Sequence, residues 1–411
     1  MITILIDIIL YSIFIYMLYY TIVSIFGYFN HPEQVEQVKP QAKFLVLIPA
    51  VNEESVVSIP VTDMVNQGYP KELYTVVVVA DHCTDSTAEI ARKAGAQVIT
   101  TEDNPRFVRH GIGKANTLDY GLHQTNWHDY DYMIVIDSDN NITSNFLQEM
   151  NNMAVKHHPA VMQSALESKQ GHGFINAGLN LSFRRSRRFQ QIVESKYGCA
   201  SIMGTGFATR IDVLEYLNGF RFNSLTEDAY EEIYTILYLN GSIKFVNSAW
   251  VTNENYSEIK QARKGLTRWS KGAFEVAYRM VWKCTKEFIK KPFSPRIWHC
   301  FCRMVTLGKA EQILLSGILI VLKWIFNYNE TGLILPNYLT IIITILGVLM
   351  GLNITVFQTY IVLLEDYNFW QATLILIKSV FFSIFYQMCN VVAVLTFWKK
   401  QWKVSTHGNN A

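Results

Sequence analysis

The chain has 411 residues, half of them hydrophobic and only 17% charged, with a formal net charge of +2. That length holds two or three domains and the apolar excess points toward a membrane, while the near-neutral balance, without a long basic tract, speaks against nucleic-acid binding. Six scattered cysteines lack CxxC spacing and read as structural thiols of a reducing compartment; "WHCFC" gathers His299, Cys300 and Cys302, but a zinc site wants a second ligand pair that is not evident.

Residues 1–29 open with "MITILIDIILYSIFIYMLYYTIVSIFGY", which carries one charge, Asp7. About 20 apolar residues suffice to span a bilayer. With neither a basic leading region nor a small-residue cleavage site, the segment reads as an uncleaved membrane anchor. Residues 30–284 then have the composition of an ordinary soluble domain.

Within that domain "KFLVLIPAVNEE" (Lys43–Glu54) predicts a buried strand stopped by Pro49. A second strand, Thr75–Ala80, precedes a helix that ends at Gly95, with Ser86 or Thr87 and Glu89 as its cap. "AQVITT" gives a third strand, "GKANTLDYGLHQ" a helix, and "YMIVID" the next strand. Continuously apolar strands alternating with helices predict a parallel α/β sheet. Ligands of such sheets bind beyond the carboxyl ends of the strands. Three polar clusters, Pro49–Glu54, Asp81–Asp85 and Asp137–Asp139, follow strand ends and are expected on one rim. Asp and Asn also open ordinary turns, so no cluster alone is diagnostic. Together they mark a site.

The usual nucleotide motifs are absent. No GxGxxG follows the first strand, and "GIGKA" (Gly111–Ala115) lacks the upstream glycine and the Ser/Thr of a P-loop. Gly113 and Lys114, placed before a helix, are still suited to approach a diphosphate. Asp137 and Asp139 are two residues apart, so on an extended strand they face opposite ways. That spacing disfavours a shared-proton pair. A turn at Ser138 would let one carboxylate take a metal while the other meets a neighbouring ligand group. Hard carboxylate oxygens suit Mg²⁺ or Mn²⁺ that also binds phosphate oxygens, a Lewis acid for a diphosphate leaving group.

Further on, residues 285–310 mix basic and aromatic residues as an interfacial amphipathic helix would. Residues 311–400 contain apolar runs at Ile313–Phe326, Tyr338–Leu364 and Phe369–Trp398, predicting two or three C-terminal transmembrane helices. The tail, residues 401–411, begins within "KKQWK", which the positive-inside rule places in the cytoplasm. "NYNETGLILPN", without Lys or Arg, reads as external. Three C-terminal crossings would carry the tail to the outside, so the two signals conflict; the external loop favours four spans in all.

The segments "IPAVNEE", "VVVADHCTDSTAEIARKAGA", "GIGKANTLDYGL", "VIDSDN", "GTGFATR", "LTEDAYEE" and "TRWSKG" occur in that order. In their order and spacing the chain resembles the membrane-bound family-2 glycosyltransferases, the group that holds cellulose, hyaluronan and poly-N-acetylglucosamine synthases, over roughly Lys43–Gly272. The resemblance implies a glycosyltransferase-A (nucleotide-diphospho-sugar transferase) α/β domain flanked by N-terminal and C-terminal transmembrane helices, multi-pass in the cell membrane with the catalytic domain cytoplasmic. It implies a nucleotide-diphosphate sugar donor, most often UDP-linked, and a divalent metal, Mg²⁺ or Mn²⁺. By match to the family's motifs, Asp81 contacts the nucleobase beside a wall of Pro49, Ala50 and Glu53. Lys114 and Asp137 lie near the nucleotide, Asp139 contacts the metal, and Arg268 meets the diphosphate. Gly204, Thr205, Gly206 and Phe207 form an acceptor-side loop, its glycines permitting close approach to a sugar, and Trp269 is an acceptor platform. Asp228 matches the general base, with Glu227 beside it; "TEDAYEE" reads equally as an acidic first helical turn capped by Thr226.

One departure stands out. Processive synthases carry Gln-x-x-Arg-Trp, and here Gly265 holds the glutamine position, with Gln261 one turn earlier and out of register. The resemblance implies an inverting transfer to a growing extracellular or capsular polysaccharide. The alternative is addition of one sugar to a lipid-linked acceptor, and a more remote one is a non-catalytic transporter or scaffold. The partners expected are donor, glycan or lipid-linked acceptor and bilayer; an accessory subunit is left unspecified.

Overall fold

The computed structural model describes residues 2–101, 103–104, 106–169, 173–254, 256, 258–305, 337–396 and 398. Eight strands form one sheet: β1 (Phe44–Ala50), β2 (Tyr74–Ala80), β3 (Gln97–Thr100), β4 (Tyr132–Val135), β5 (Asn141–Ile142), β6 (Val161–Ser168), β7 (Phe207–Arg210) and β8 (Ile243–Asn253). Their spatial order is β3-β2-β1-β4-β7-β6-β8-β5.

The first half is parallel as expected: β1 pairs with β2 on one side and β4 on the other, and β3 flanks β2. The second half corrects the all-parallel expectation. β7 runs antiparallel to both β4 and β6, and β5 antiparallel to β8, so the sheet is mixed. Continuous apolar runs report burial on both faces and carry no direction, which is why the sequence did not show the reversal. On β1, Phe44, Val46 and Ile48 enter one core with Phe146 and Met150, while Leu45 and Leu47 enter the other with Leu118 and Val135. The period-2 alternation is there, hidden because helices cover both sides.

Pro49 does not stop β1, which continues to Ala50. The Leu47 carbonyl accepts the Ile136 amide at 3.1 Å and the Ala50 carbonyl accepts the Asp81 amide at 2.9 Å. By this alternation Pro49 faces the β4 side, where pairing has already ended at Leu47–Val135. The missing N–H therefore falls where no ladder bond is needed. The two strands part there, opening the crevice at the switch in strand order.

Two helix starts differ from expectation. Ser86 makes no side-chain cap; Asp85 accepts the Thr87 amide and hydroxyl at 3.0 and 2.6 Å. Thr226 precedes the helix Glu227–Leu237 without capping it, and its buried hydroxyl lies where a side chain at Gly272 would stand.

The long helix Ile259–Lys290 and the helix Pro295–Val305 pack into the sheet's second core through Val276, Cys284, Cys300 and Met304. The packing against the sheet thus continues past residue 284 to Met304. All six thiols are free, Cys83 half-exposed and the rest buried.

Among the described residues, Ile345–Leu363 and Phe369–Val394 are long and apolar enough to cross a membrane, and Ile2–Phe29 forms an apolar N-terminal helix. The run Ile313–Phe326, the external loop and the 401–411 tail lie outside the described residues. Arginines 184, 185 and 188 join the apolar helices to the domain: Arg184 pairs with Asp366, Arg188 with Glu365, and Arg185 donates to the Ile354 carbonyl at 3.1 Å.

The helix Lys114–His123 rests directly on β2, where a Cβ on Gly121 would lie 2.3 Å from Val79 Cγ2. Gly121→Ala is expected to destabilise the fold by about 1–3 kcal/mol, since the branched Val79 has little room to yield; a denaturation midpoint equal to that of the parent would refute this contact.

Candidate functional site

The carboxyl ends of β1, β2 and β4 open into a cavity of about 1990 Å³. Twelve sequence-derived site residues line it: Pro49, Glu53, Asp81, Lys114, Asp137, Asp139, Gly204, Thr205, Glu227, Asp228, Arg268 and Trp269. The three acidic strand ends do converge.

On the β2 side, Asp81 accepts from Thr117 Oγ1 at 2.5 Å, Arg109 Nη1 at 2.7 Å and His82 Nδ1 at 2.7 Å. Burial pushes this carboxyl up, but these donors outweigh it and hold Asp81 below the usual carboxylate range. Arg109 in turn lies 4.4 Å from the centre of the Tyr120 ring. Sequence reasoning missed Arg109 and Thr117; a helix facing the predicted rim was the available signal.

At the end of β4 the chain turns, the Asn140 amide donating to the Asp137 carbonyl at 3.3 Å. The Asp137 amide donates to Thr205 Oγ1 at 3.0 Å, and its carboxylate pairs with Lys114. Lys114 Nζ also donates to the Gly204 carbonyl at 2.5 Å. Burial pulls this ammonium down, yet Asp137 and Glu227 outweigh it and keep it above its ordinary value. Asp139 Oδ1 accepts from Asn140 Nδ2 at 3.0 Å. Glu53 is pushed up to about 8, first by burial and then by Asp139 and Asp137. These carboxylates share one neighbourhood.

Among the described residues no group of three or more His, Cys, Asp or Glu is set to enclose a metal ion. The donors present are hard oxygens on one wall of an open cavity. Such a partial shell fits a divalent cation that completes its coordination with phosphate oxygens.

The start of the helix Glu227–Leu237 also lines the cavity. Asp228 Oδ1 accepts the Ala229 amide at 2.8 Å. Its Oδ2 lies 3.3 Å from where a Cβ on Gly204 would stand, and Gly204 holds φ +80°. Burial raises Asp228, against the Ala229 hydrogen bond and the Lys114 charge. Burial likewise pushes Glu227 up to about 7, with Lys114 opposing and Asp228 reinforcing.

Three predicted contacts are not in the lining. Ala50 is buried at the end of β1. Gly206 has its amide on the Val135 carbonyl at 2.8 Å and its carbonyl on the Ser164 amide at 2.9 Å. Phe207 is fully buried opposite Val135. Phe207 therefore packs the core and has no face for an acceptor sugar, because the chain re-enters the sheet immediately after the glycines.

Arg268 and Trp269 stand half-buried on the helix Ile259–Lys290. Trp269 packs with Tyr256, ring centres 6.5 Å apart, and against the same buried cluster, which includes Leu266 and Phe382, as Phe385 and Tyr386 of the apolar helix Phe369–Val394. A Cβ on Gly265 would lie 2.2 Å from the Tyr256 hydroxyl. The departure at Gly265 thus has a physical counterpart: Tyr256 fills the space a longer side chain there would claim. Neither Tyr256 nor the wall from Ser379, Phe382 and Ser383 was identified from sequence.

Residues 40–272, more than half of the chain, match the model of the family described as glycosyltransferase like family 2. A probable glycosyltransferase of Bacillus subtilis, YdaM, is 29% identical over 59% of this chain and 58% of its own length. The Staphylococcus aureus poly(ribitol-phosphate) β-N-acetylglucosaminyltransferase TarS is 23% identical over 53% of this chain and 39% of its own. The chain thus spans little more than half the length of the first of these relatives and less of the second. In three dimensions it is similar to the mannosyltransferase PcManGT of Pyrobaculum calidifontis, solved with GDP-Man and Mn²⁺, with TM-score 0.58 and 14% identity, over 94% of this chain and 99% of that one. The likeness shows the shared fold.

Gly265→Gln is expected to lose about 1–3 kcal/mol of stability through collision with Tyr256, and Gly265→Gln with Tyr256→Ala to recover part of it. Strictly additive losses in thermal denaturation would show that the two positions do not share that space.

Proposed function

The chain belongs to the glycosyltransferase-like family 2, and we propose that it transfers a sugar from a UDP-sugar to a growing polysaccharide with inversion at the anomeric carbon. The observation that carries this reading is that Asp228 lines the same cavity as Asp137, Asp139 and Lys114. A single displacement needs the acceptor's base and the leaving group's charge stabilisers on opposite sides of the reacting carbon.

Asp81, held ionised by Arg109 and Thr117, is suited to accept from a nucleobase or ribose donor group. Asp139, with Glu53 close by, would hold the divalent ion beside the diphosphate. When bound, that ion supplies Lewis-acid stabilisation of the leaving diphosphate. Lys114 and Arg268 add fixed positive charge on the same side. Asp228 takes the proton from the acceptor hydroxyl, its Oδ1 fixed by the Ala229 amide while Oδ2 stays directed at the Gly204 slot. Glu227, more deeply buried, shapes the charge around it.

A second reading, one-sugar transfer to a lipid-linked acceptor, is favoured by the apolar wall that Phe382 and Tyr386 contribute to the cavity. The two differ in product: polymer retained at the chromatographic origin, or a single-sugar lipid. A radiolabelled UDP-sugar panel with Mn²⁺ separates them, and absence of both transfer and hydrolysis would favour the non-catalytic reading.

Membrane residence belongs to the same proposal. The helix Phe369–Val394 exposes Trp370, Leu374, Ile377, Phe381, Ile384, Met388 and Val391, a stripe at helical spacing that suits lipid. Both its ends meet the catalytic domain. Asp366 just before it pairs with Arg184, and Asn390 near its end accepts from Ser270. A helix held so at both ends lies along the domain in the interface, and returns the chain to the catalytic side. This placing agrees with the basic "KKQWK" that follows and leaves "NYNETGLILPN" free to be external, removing the conflict between those two signals.

Asp228→Asn should abolish transfer while Mn²⁺-dependent UDP binding stays near normal, and Asp139→Ala should weaken that binding; an Asp228→Asn protein with most of its turnover would refute the base. A cysteine replacing Thr396 should react with an impermeant maleimide only from the side on which a Glu72→Cys control reacts. Labelling from the opposite side would show that Phe369–Val394 crosses the bilayer.

A further inference from the structure

The "WHCFC" histidine serves neither the cavity nor a metal. His299 is fully buried, with Nδ1 3.1 Å from Glu194 Oε1 and Nε2 2.8 Å from Glu232 Oε1. Arg303, one turn on, places Nε 3.0 Å from the same Glu232 oxygen and donates from Nη1 to Ser201 Oγ at 2.7 Å. From the N-terminal helix the Tyr19 hydroxyl donates to Glu194 Oε1 at 3.2 Å. Two buried carboxylates, the buried His299 and the half-buried Arg303 thus meet where the N-terminal helix, the helix Ile192–Lys196, the Asp228 helix and the helix Pro295–Val305 come together.

Glu232 links this cluster to the site twice. It lies four residues after Asp228 on one helix, hence on the same face one turn away. Its Oε2 accepts the Ile202 amide at 2.9 Å, two residues before Gly204. Gly204 is the residue whose Cα side closes on Asp228 Oδ2. One carboxylate therefore anchors both walls of the slot in which Asp228 sits.

We propose that His299, with Glu232, Glu194 and Arg303, is a positioning network that fixes Asp228 against the Gly204 loop and keeps the buried surroundings of Asp228 electrically neutral. This rests on the reading of Asp228 as the base. The titratable and charged groups gathered around His299 are Tyr19 and Tyr20 on the N-terminal helix, Glu194 and Cys199, then Glu232 and Asp228, and on its own helix Arg296, Cys300, Cys302 and Arg303. Burial pulls the His299 imidazole down, but its two carboxylates outweigh that and push it up to about 9. At neutral pH it is a cation, and two positive charges balance Glu194 and Glu232.

The sign follows. Turnover requires ionised Asp228, so its pKa sets the acid limb of the rate profile. Removing the His299 cation leaves excess negative charge nearby, disfavours ionised Asp228 and moves that limb to higher pH. Removing the Glu232 charge does the opposite. A purely structural role would lower turnover in both without moving the limb in opposite directions.

The test uses the full chain purified in detergent, with the UDP-sugar it turns over and Mn²⁺–UDP titration as the control for folding. His299→Gln should move the acid limb of kcat up, and Glu232→Gln down, each by about half a pH unit or more. UDP affinity should stay within about twofold in both, because neither group faces the donor. Limbs that stay in place, or shift the same way, overturn the network while leaving the transferase reading intact. If His299→Gln loses UDP binding and so does not fold, the direction of the Glu232→Gln shift decides alone. A wild-type chain that turns over no UDP-sugar fails the transferase reading and this inference with it.

Discussion

Crowded negative charge is the constraint that the rest of the site answers. The topology delivers Glu53, Asp81, Asp137 and Asp139 to one rim, and the helix that closes the cavity adds Glu227 and Asp228. Unrelieved, such a group would not hold its ionised form in a half-buried space. Lys114 gives the central relief by binding the Asp137 carboxylate and the Gly204 carbonyl together. It reaches that point because Gly113, with φ +59°, turns the chain into the helix whose first residue is Lys114. Arg109 serves Asp81 in the same way at the far end. At the remaining corner Glu53 and Asp139 stand close together, and burial with the neighbouring carboxylates pushes Glu53 up to about 8.

Much of this was legible in the sequence because it depends on strand ends. β1, β2 and β4 are short apolar runs, and each stops where a polar cluster begins, so the rim follows from periodicity and the rule for parallel sheets. What escaped notice depends on long-range packing. Phe207 reads as a ring exposed beside two glycines, yet it enters β7, and only its pairing with Val135 shows it as core. The reversal of β7 between β4 and β6 leaves no local mark. Thr226 looks like a helix cap, but its side chain packs beside Gly272 and makes no cap bond. Arg109 and Tyr256 carry no motif of their own, and Glu232 only closes "LTEDAYEE"; all three matter through what the fold sets beside them.

The acceptor side is where this chain separates from the pattern it otherwise follows. Gly265 does not leave a gap; Tyr256 occupies the space, and its ring leans on Trp269. Trp269, Phe385 and Tyr386 pack against one buried cluster, which joins the cavity wall to the helix with the exposed apolar stripe. Under the proposed function, acceptor geometry and membrane contact are thereby mechanically connected. The donor wall, built on β1, β2 and β4, has no such dependence.

The adjacency of Glu227 and Asp228 poses a last choice, since either carboxylate is chemically able to act as a base. Glu227 is nearly fully buried and pushed up to about 7, so near neutrality much of it carries a proton. Asp228 is half-buried and receives the Ala229 amide, a hydrogen bond that favours the ionised form. Its free oxygen points at Gly204, where the absence of a side chain leaves a path for an acceptor hydroxyl. A base must be both ionised and reachable. Asp228, although burial raises it, has the hydrogen bond and the open approach that favour this role, and Glu227 acts on it as a neighbouring group whose protonation eases the repulsion between them.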